Sequence, residues 1–457
     1  MTTASPAALT DLAGALTGDL LLPGSPGYGE DTSPRNAGIY QAPAAVARVE
    51  DAGDVAACLR WASQVGLRVV VQATGHGAGR PVDGGALMVH TGRLHRISVD
   101  PERRLVRVGA GAAFGAVNAA AWAHGLLGLG GTAPDVGVAG YTFHGGLGWL
   151  SRPHGMASAS VRSVDFVDGS GRVRRASDDA NDPQDREAMW AFRGGGGVGI
   201  ATELELPLFA AGHLWAGYAL WPAEHAEEVV RAWGRVLPEL DPALSTSVGL
   251  LRAPDAPTVP EQLRGQRVVH LCAASVGGED AGRALLEALA PLPPAALETF
   301  GACDVERLSK IHLDPPAAVP ALGEGRWLTA AAGRHAARIL TAAGPDSALA
   351  EVELRHVAVA PSGVDGAMTD PGGEVLLHAT GPAPSEADRD RVQQALDEVR
   401  AAAREADTGL EAAAYHDGRP SAPDAFDASV QQRLDHIQRH IDPEGLIAVA
   451  RTLNGSR

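Results

Sequence analysis

The stretch LRVVVQATGHGAGR, Leu67 to Arg80, sets the reading of the chain. It passes from LRVVVQ (Leu67–Gln72), which reads as a buried strand, straight into a loop with glycines at 75, 77 and 79 around a single histidine, His76. Glycine reaches positive φ and lets backbone approach a ligand closely. Successive exposed N–H groups in such a loop form a nest for an anion such as a pyrophosphate. The same letters fit an ordinary turn carrying a solvated histidine, so the loop has to be read with its surroundings. Upstream, PAAVARV (Pro43–Val49) reads as a strand, and DVAACLRWASQVG, opening at Asp54, as a helix closed by Gly66. Downstream, ALMVH (Ala86–His90) and LVRVGAG (Leu105–Gly111) read as strands, with a helix near Gly115 to His124.

Two further glycine-rich runs follow. GLGGTAPDVGVAGYTFHGGLGWLSRPHG, Gly128 to Gly155, holds glycine pairs at 130–131 and 145–146 among few charges. Backbone packed against a large planar ligand explains such a run, and so does a glycine-lined corner of a sheet. RGGGGVGIATELEL, Arg193 to Leu206, sets four glycines ahead of a strand with period-two alternation, and brings backbone near Gly199 and Ile200 into reach of the same ligand. Between the runs, VRSVDFVD, GSG and VRRAS read as a hairpin by turn chemistry. VGAGAAFG (Val108–Gly115) has the setting of a dinucleotide fingerprint, but its glycines at 109, 111 and 115 are one residue too widely spaced for G-x-G-x-x-G. The chain also lacks an acidic residue closing a second strand about 20 residues on, as that motif requires.

In its order of segments the N-terminal half resembles the FAD-binding domain of the vanillyl-alcohol-oxidase/p-cresol-methylhydroxylase (PCMH-type) superfamily, in its berberine-bridge-enzyme-like branch. The likeness is strong over residues 20–208, looser beyond, and returns at the C-terminal DPEGL turn. It implies a two-domain α+β fold with FAD between the domains and His76 bonded to the 8α carbon of the flavin. The implied cofactor contacts are Gln72, Thr74, Gly75, Gly77 and Ala78 in the first loop, Gly131, Thr132, Val136, Gly140, Gly145 and Gly146 in the second run, and Gly199 and Ile200 in the third. Many relatives add a cysteinyl bond, but Ala133 stands at that position, so a single linkage is expected. In relatives the residue three positions further on gates oxygen, with valine marking oxidases; here it is Val136. Relatives usually have arginine at Gln72, glycine at Thr74 and glycine at His144, and their Tyr-x-Asn strand is missing from EAAAYHDG. The base is therefore open among Tyr415, His416, Tyr141 and His144, with Tyr415 and His416 expected on a strand returning to the flavin domain. His356 and His378 are lesser candidates for the pocket wall.

Beyond Leu208 the texture changes. WAGYALWP, STSVGLL, RVVHLCAAS and VELRHVAVA alternate with helical patterns such as EHAEEVVRAWGRVL and DAGRALLEALA, as in an antiparallel sheet backed by helices. The expected division is an FAD-binding domain at 1–208, a substrate-binding α+β domain at 209–406 and a segment at 407–457 returning to the first. The formal charge of −17 over 457 residues disfavours nucleic acid and anionic membrane surfaces as partners. Three scattered cysteines, Cys58, Cys272 and Cys303, argue against a disulfide framework or a metal site. No signal peptide and no apolar run of about 18 residues is apparent, so a cytoplasmic location is expected. The implied activity is hydride transfer from an alcohol, amine or activated C–H of a small molecule to FAD, with O2 as the final acceptor. A same-fold dehydrogenase using another acceptor and a flavin-containing cyclase or isomerase are the alternatives.

Overall fold

A computed structural model describes residues 5–448 apart from 256, 258 and 316. Three sheets organise it. The first runs in the order Asp19–Leu21, Ala45–Arg48, Ala86–His90, Arg68–Gln72, Ile447–Ala448, and is parallel except at its first pair. The helix Ala52–Val65 links two of these strands. Asp51 caps it by accepting the Asp54 N–H, and Gly66 ends it at φ +72°, a conformation that glycine takes without strain. Its apolar face, with Val55, Cys58, Leu59 and Ala62, packs on Val69, Leu87 and Val89.

The second sheet is antiparallel, in the order Ile97–Asp100, Leu105–Gly109, Ile200–Pro207, Ser163–Val167, Val173–Ser177, and contains the expected hairpin. The VGAGAAFG glycines serve this packing: a Cβ at Gly109 or Gly111 would collide with the carbonyls of Leu94 and Thr91.

The third sheet is antiparallel along Trp215–Pro222, Arg267–Ser275, Leu244–Arg252, Glu351–His356, Val375–Pro382, Ala321–Leu328 and Asp407–Glu411. Successive residues of a strand face opposite sides. On one side Val248, Leu250, Leu271, Val352, Leu354 and Leu377 pack on Trp233, Ile339 and Leu396 of the backing helices. The register puts Ser247, His270, Cys272, Glu353, Arg355, His378 and Trp327 on the other side, toward the N-terminal sheets.

The C-terminal stretch departs from the sequence expectation. The strand Asp407–Glu411 joins the third sheet beside Ala321–Leu328, and Ala413–Tyr415 is a 3-10 turn. Tyr415 and His416 therefore do not lie on a strand returning to the N-terminal domain. The cause is local: Gly325 faces the turn, and a Cβ there would come 2.5 Å from Tyr415 Cβ, so the turn lies flat on the sheet. The return is made by the helix Ala428–Ile441, whose Leu434, Ile437 and Ile441 enter the second sheet's core, and by the strand Ile447–Ala448. Among the described residues no helix is long and apolar enough to cross a membrane.

Candidate active site

The loop after Arg68–Gln72 is held on two sides. Gly75 sits at φ +74° and its carbonyl accepts the Arg35 N–H at 3.1 Å. Thr74 Oγ1 accepts the Gly137 N–H at 3.1 Å, which ties this loop to the second glycine-rich run. His76 hangs between them. Its Nε2 lies 3.5 Å from Asp135 Oδ1, and its Nδ1 is buried without a hydrogen-bond partner among the described residues. Burial holds its pKa below the ordinary imidazole value against the pull of Asp135, and Arg35 adds to the depression, so the ring is neutral at neutral pH. Gln72 turns its amide inward to donate to the Asp31 carbonyl at 2.6 Å.

The glycines divide by what they face. Gly77 and Gly140 have open space where a side chain would go. Gly131 and Gly146 press on opposite edges of the Tyr141 ring, Gly145 on Met156, and Gly199 on the Phe166 ring. The expectation that the whole run is shaped for a planar ligand is thus corrected in part. Much of its glycine content accommodates Tyr141 and close backbone crossings, such as Gly148 over the Gly130 carbonyl. Gly77 also differs from the expectation for the first loop, because it does not adopt positive φ. The Ile200 side chain belongs to the first core, and Val136 is half-buried with its carbonyl accepting the Phe114 N–H.

A small pocket separates this run from the third sheet, lined by His144, Gly146, Leu147 and Met156 on one side and by Trp327, Met368 and Ala412–Tyr415 on the other. His144 donates through Nδ1 to the Gly140 carbonyl at 2.7 Å. Tyr141 Oη is buried without a partner among the described residues, and burial pushes its pKa well up. His416 is 2% exposed and points its Nε2 at the Gly325 carbonyl, beneath the turn. Of the four sequence candidates, Tyr415 and His144 line the pocket, Tyr141 lies under it, and His416 faces away.

Beside Tyr415 stands a charge network absent from the sequence reading. Arg355 Nη2 donates to Glu353 Oε2 at 3.0 Å, its Nη1 lies 3.4 Å from Tyr415 Oη, and its guanidinium sits 5.6 Å over the Trp149 ring and 5.8 Å over the Tyr415 ring. His312 reaches Glu353 through Nε2 at 3.3 Å and Asp314 through Nδ1 at 3.0 Å. Burial opposes the charge on each group, but the partners prevail. Arg355 and His312 hold the Glu353 carboxyl well below its usual range, and Asp314 and Glu353 hold His312 well above. Glu351, on the same face, makes no hydrogen bond or ion pair among the described residues, and burial raises its pKa. His378 faces this side and pairs with Asp417 at 3.2 Å, whereas His356 faces the helices. The legible signal is the alternation of Glu351, Glu353 and Arg355 in EVELRHV, a pattern that on a solvent-facing strand means nothing more than an exposed side.

Fold and loop together define a flavin-binding protein. Residues 43–177 match the FAD binding domain family, and the fold is that of two-domain PCMH-type FAD-binding proteins, with berberine-bridge-enzyme-like proteins among the structural neighbours. It is 31% identical over 210 residues to a xylooligosaccharide oxidase of Thermothelomyces thermophilus, covering 45% of this chain and 41% of that one. It is 27% identical over 275 residues to the (R)-6-hydroxynicotine oxidase of Paenarthrobacter nicotinovorans, covering 58% and 56%. The matched segments thus span about half the length of these relatives or less. The solved structure of Physcomitrella patens BBE-like 1 superimposes with a TM-score of 0.80 at 16% identity over 98% of this chain and 99% of that one. The residues present fit FAD: a neutral histidine with a buried, unpaired nitrogen stands beside the open side of Gly77, inside the matched domain.

Proposed function

We propose that the chain is an FAD-dependent oxidase of a small organic substrate, with FAD bonded to His76 as its single covalent link. Residues 1–208 bind the cofactor, residues 209–406 present the substrate-facing sheet, and the segment from 407 completes both. The observation that carries this reading is the polar face of the third sheet. Glu353, Arg355, His312 and Tyr415 are turned toward the FAD-binding domain, where a folded protein ordinarily places apolar side chains.

Bound FAD would supply the two-electron oxidising chemistry, as acceptor of a substrate hydride with dioxygen as the final oxidant. The chain supplies the rest. Arg355, locked by Glu353 and stacked between Trp149 and Tyr415, fixes the Tyr415 hydroxyl at the pocket edge, where it orients a substrate oxygen or nitrogen. Glu351 makes no hydrogen bond among the described residues, and burial raises its pKa, the direction that favours uptake of the substrate proton. The apolar wall of Leu147, Met156, Trp327 and Met368 excludes water.

Substrates are sought by mixing candidate alcohols, amines and oligosaccharides with the holoenzyme without oxygen and following flavin bleaching. Bleaching followed by hydrogen peroxide release on admitting air is the expected result. Bleaching with sluggish reoxidation in air makes the enzyme a dehydrogenase. Acid precipitation is expected to leave yellow, fluorescent flavin on the protein, on a peptide containing His76. Full release of the flavin rejects the covalent bond, and a flavin-modified Cys58, Cys272 or Cys303 rejects the single link.

A further inference from the structure

We propose that Asp135 is the positioning residue for flavin attachment: it fixes the tautomer of His76 so that the bond forms at Nδ1. The inference rests on the reading of His76 as the covalent site. Two observations lead to it. Asp135 Oδ1 lies 3.5 Å from His76 Nε2, whereas Nδ1 on the opposite edge of the ring is buried and has no partner among the described residues. A neutral imidazole carries one proton, and the partner of one nitrogen decides where it sits. A carboxylate beside Nε2 keeps the proton there and leaves the lone pair on Nδ1. The two side chains also differ in setting. His76 is 22% exposed and Asp135 59%, so the nucleophilic edge is sheltered while the carboxylate stays in exchange with water.

The step balances with the oxidant that the proposed activity already uses. A bond forms between Nδ1 and the 8-methyl carbon. One methyl C–H and the Nε2–H break. Both hydrogens and two electrons end on the isoalloxazine, and dioxygen removes them as hydrogen peroxide. Positive charge builds on the imidazole as Nδ1 is alkylated, and Asp135 stabilises that charge and receives the Nε2 proton before it moves on. Arg35, whose main chain is anchored to the Gly75 carbonyl, opposes the same charge, which makes a nearby carboxylate the more necessary.

The test uses full-length protein made under riboflavin limitation and then supplied with FAD. Covalent incorporation is followed over time as in-gel flavin fluorescence, and non-covalent binding as quenching of free FAD. Asp135→Asn is expected to bind FAD but to incorporate it at least tenfold more slowly, with Asp135→Glu restoring much of the rate. NMR of the isolated flavin peptide is expected to place the bond at Nδ1. Incorporation by Asp135→Asn at the wild-type rate, or a bond at Nε2 in wild type, overturns the proposal while leaving His76 as the covalent site. Wild type that never incorporates flavin overturns both. Loss of FAD quenching in Asp135→Asn, with no recovery in Asp135→Glu, would mean that Asp135 merely builds the cofactor site.

Discussion

Glu353 and Arg355 stand two residues apart on one strand, both almost wholly buried, and each is tolerable there because of the other. Removing one partner of a buried pair leaves the other charge stranded, at about 3–5 kcal/mol. Glu353→Gln is therefore expected to destabilise the fold by that amount in urea denaturation. The pH profile carries a sign. The Glu353 pKa is depressed on folding, so its contribution is present above the unfolded value of about 4.3 and is lost as pH falls through the folded value. The His312 pKa is raised, so its contribution is present below about 6.5 and is lost as pH rises through the folded value. Denaturation of wild type across this range should give a broad maximum, and Glu353→Gln should flatten its acid flank. Val136 belongs to the same scale. Val136→Leu should slow reoxidation roughly 5- to 150-fold, the rate equivalent of the 1–3 kcal/mol that extra volume costs in a packed wall. Anaerobic reduction by substrate should stay nearly unchanged. Stopped-flow measurement of the two half-reactions separates these outcomes, and equal reoxidation rates would reduce Val136 to a packing residue.

Among elements, the 3-10 turn Ala413–Tyr415 depends on a residue in another strand. A methyl group on Gly325 meets Tyr415 Cβ and the Ala412 carbonyl, so Gly325→Ala must lift the turn away from Arg355. The expected outcome is a marked loss of turnover with a smaller fall in melting temperature, because the turn contributes little apolar area to the core. A variant with full turnover would show that Tyr415 does not orient substrate. This turn also marks where sequence stops being informative. The strands Ala45–Arg48, Arg68–Gln72 and Ala86–His90 and the helix Ala52–Val65 follow from apolar period, cap and terminal glycine, all local signals. EAAAYHDG carries no such signal, and its shape is imposed by a glycine some 90 residues earlier in the chain. For the same reason His76 was legible within its own loop, whereas Arg355, Glu353 and His312 acquire meaning only when three separate segments meet.

At the scale of the whole molecule, the first sheet draws on both ends of the chain. Ile447–Ala448 pairs in parallel with Val69 and Val70, and Asp442 secures the approach by accepting the N–H groups of Leu446 at 3.0 Å and Ile447 at 2.8 Å. Deleting the chain from Asp442 onward bares the edge of the strand that leads into the His76 loop. Such a protein is expected to keep most of its helical signal in circular dichroism but to melt earlier and to retain less flavin after gel filtration. Retention equal to wild type would make the last strand dispensable for the cofactor site.

That pairing also imposes a timetable on biosynthesis. The strand that carries the His76 loop leaves the ribosome some 380 residues before its edge partner. At about 5–20 residues per second the interval is roughly 20–75 s. Through that time the nascent N-terminal half waits with one border of its sheet unpaired, a surface prone to join other chains. Completion of the sheet is then a closing event, reserved for chains translated past Ala448.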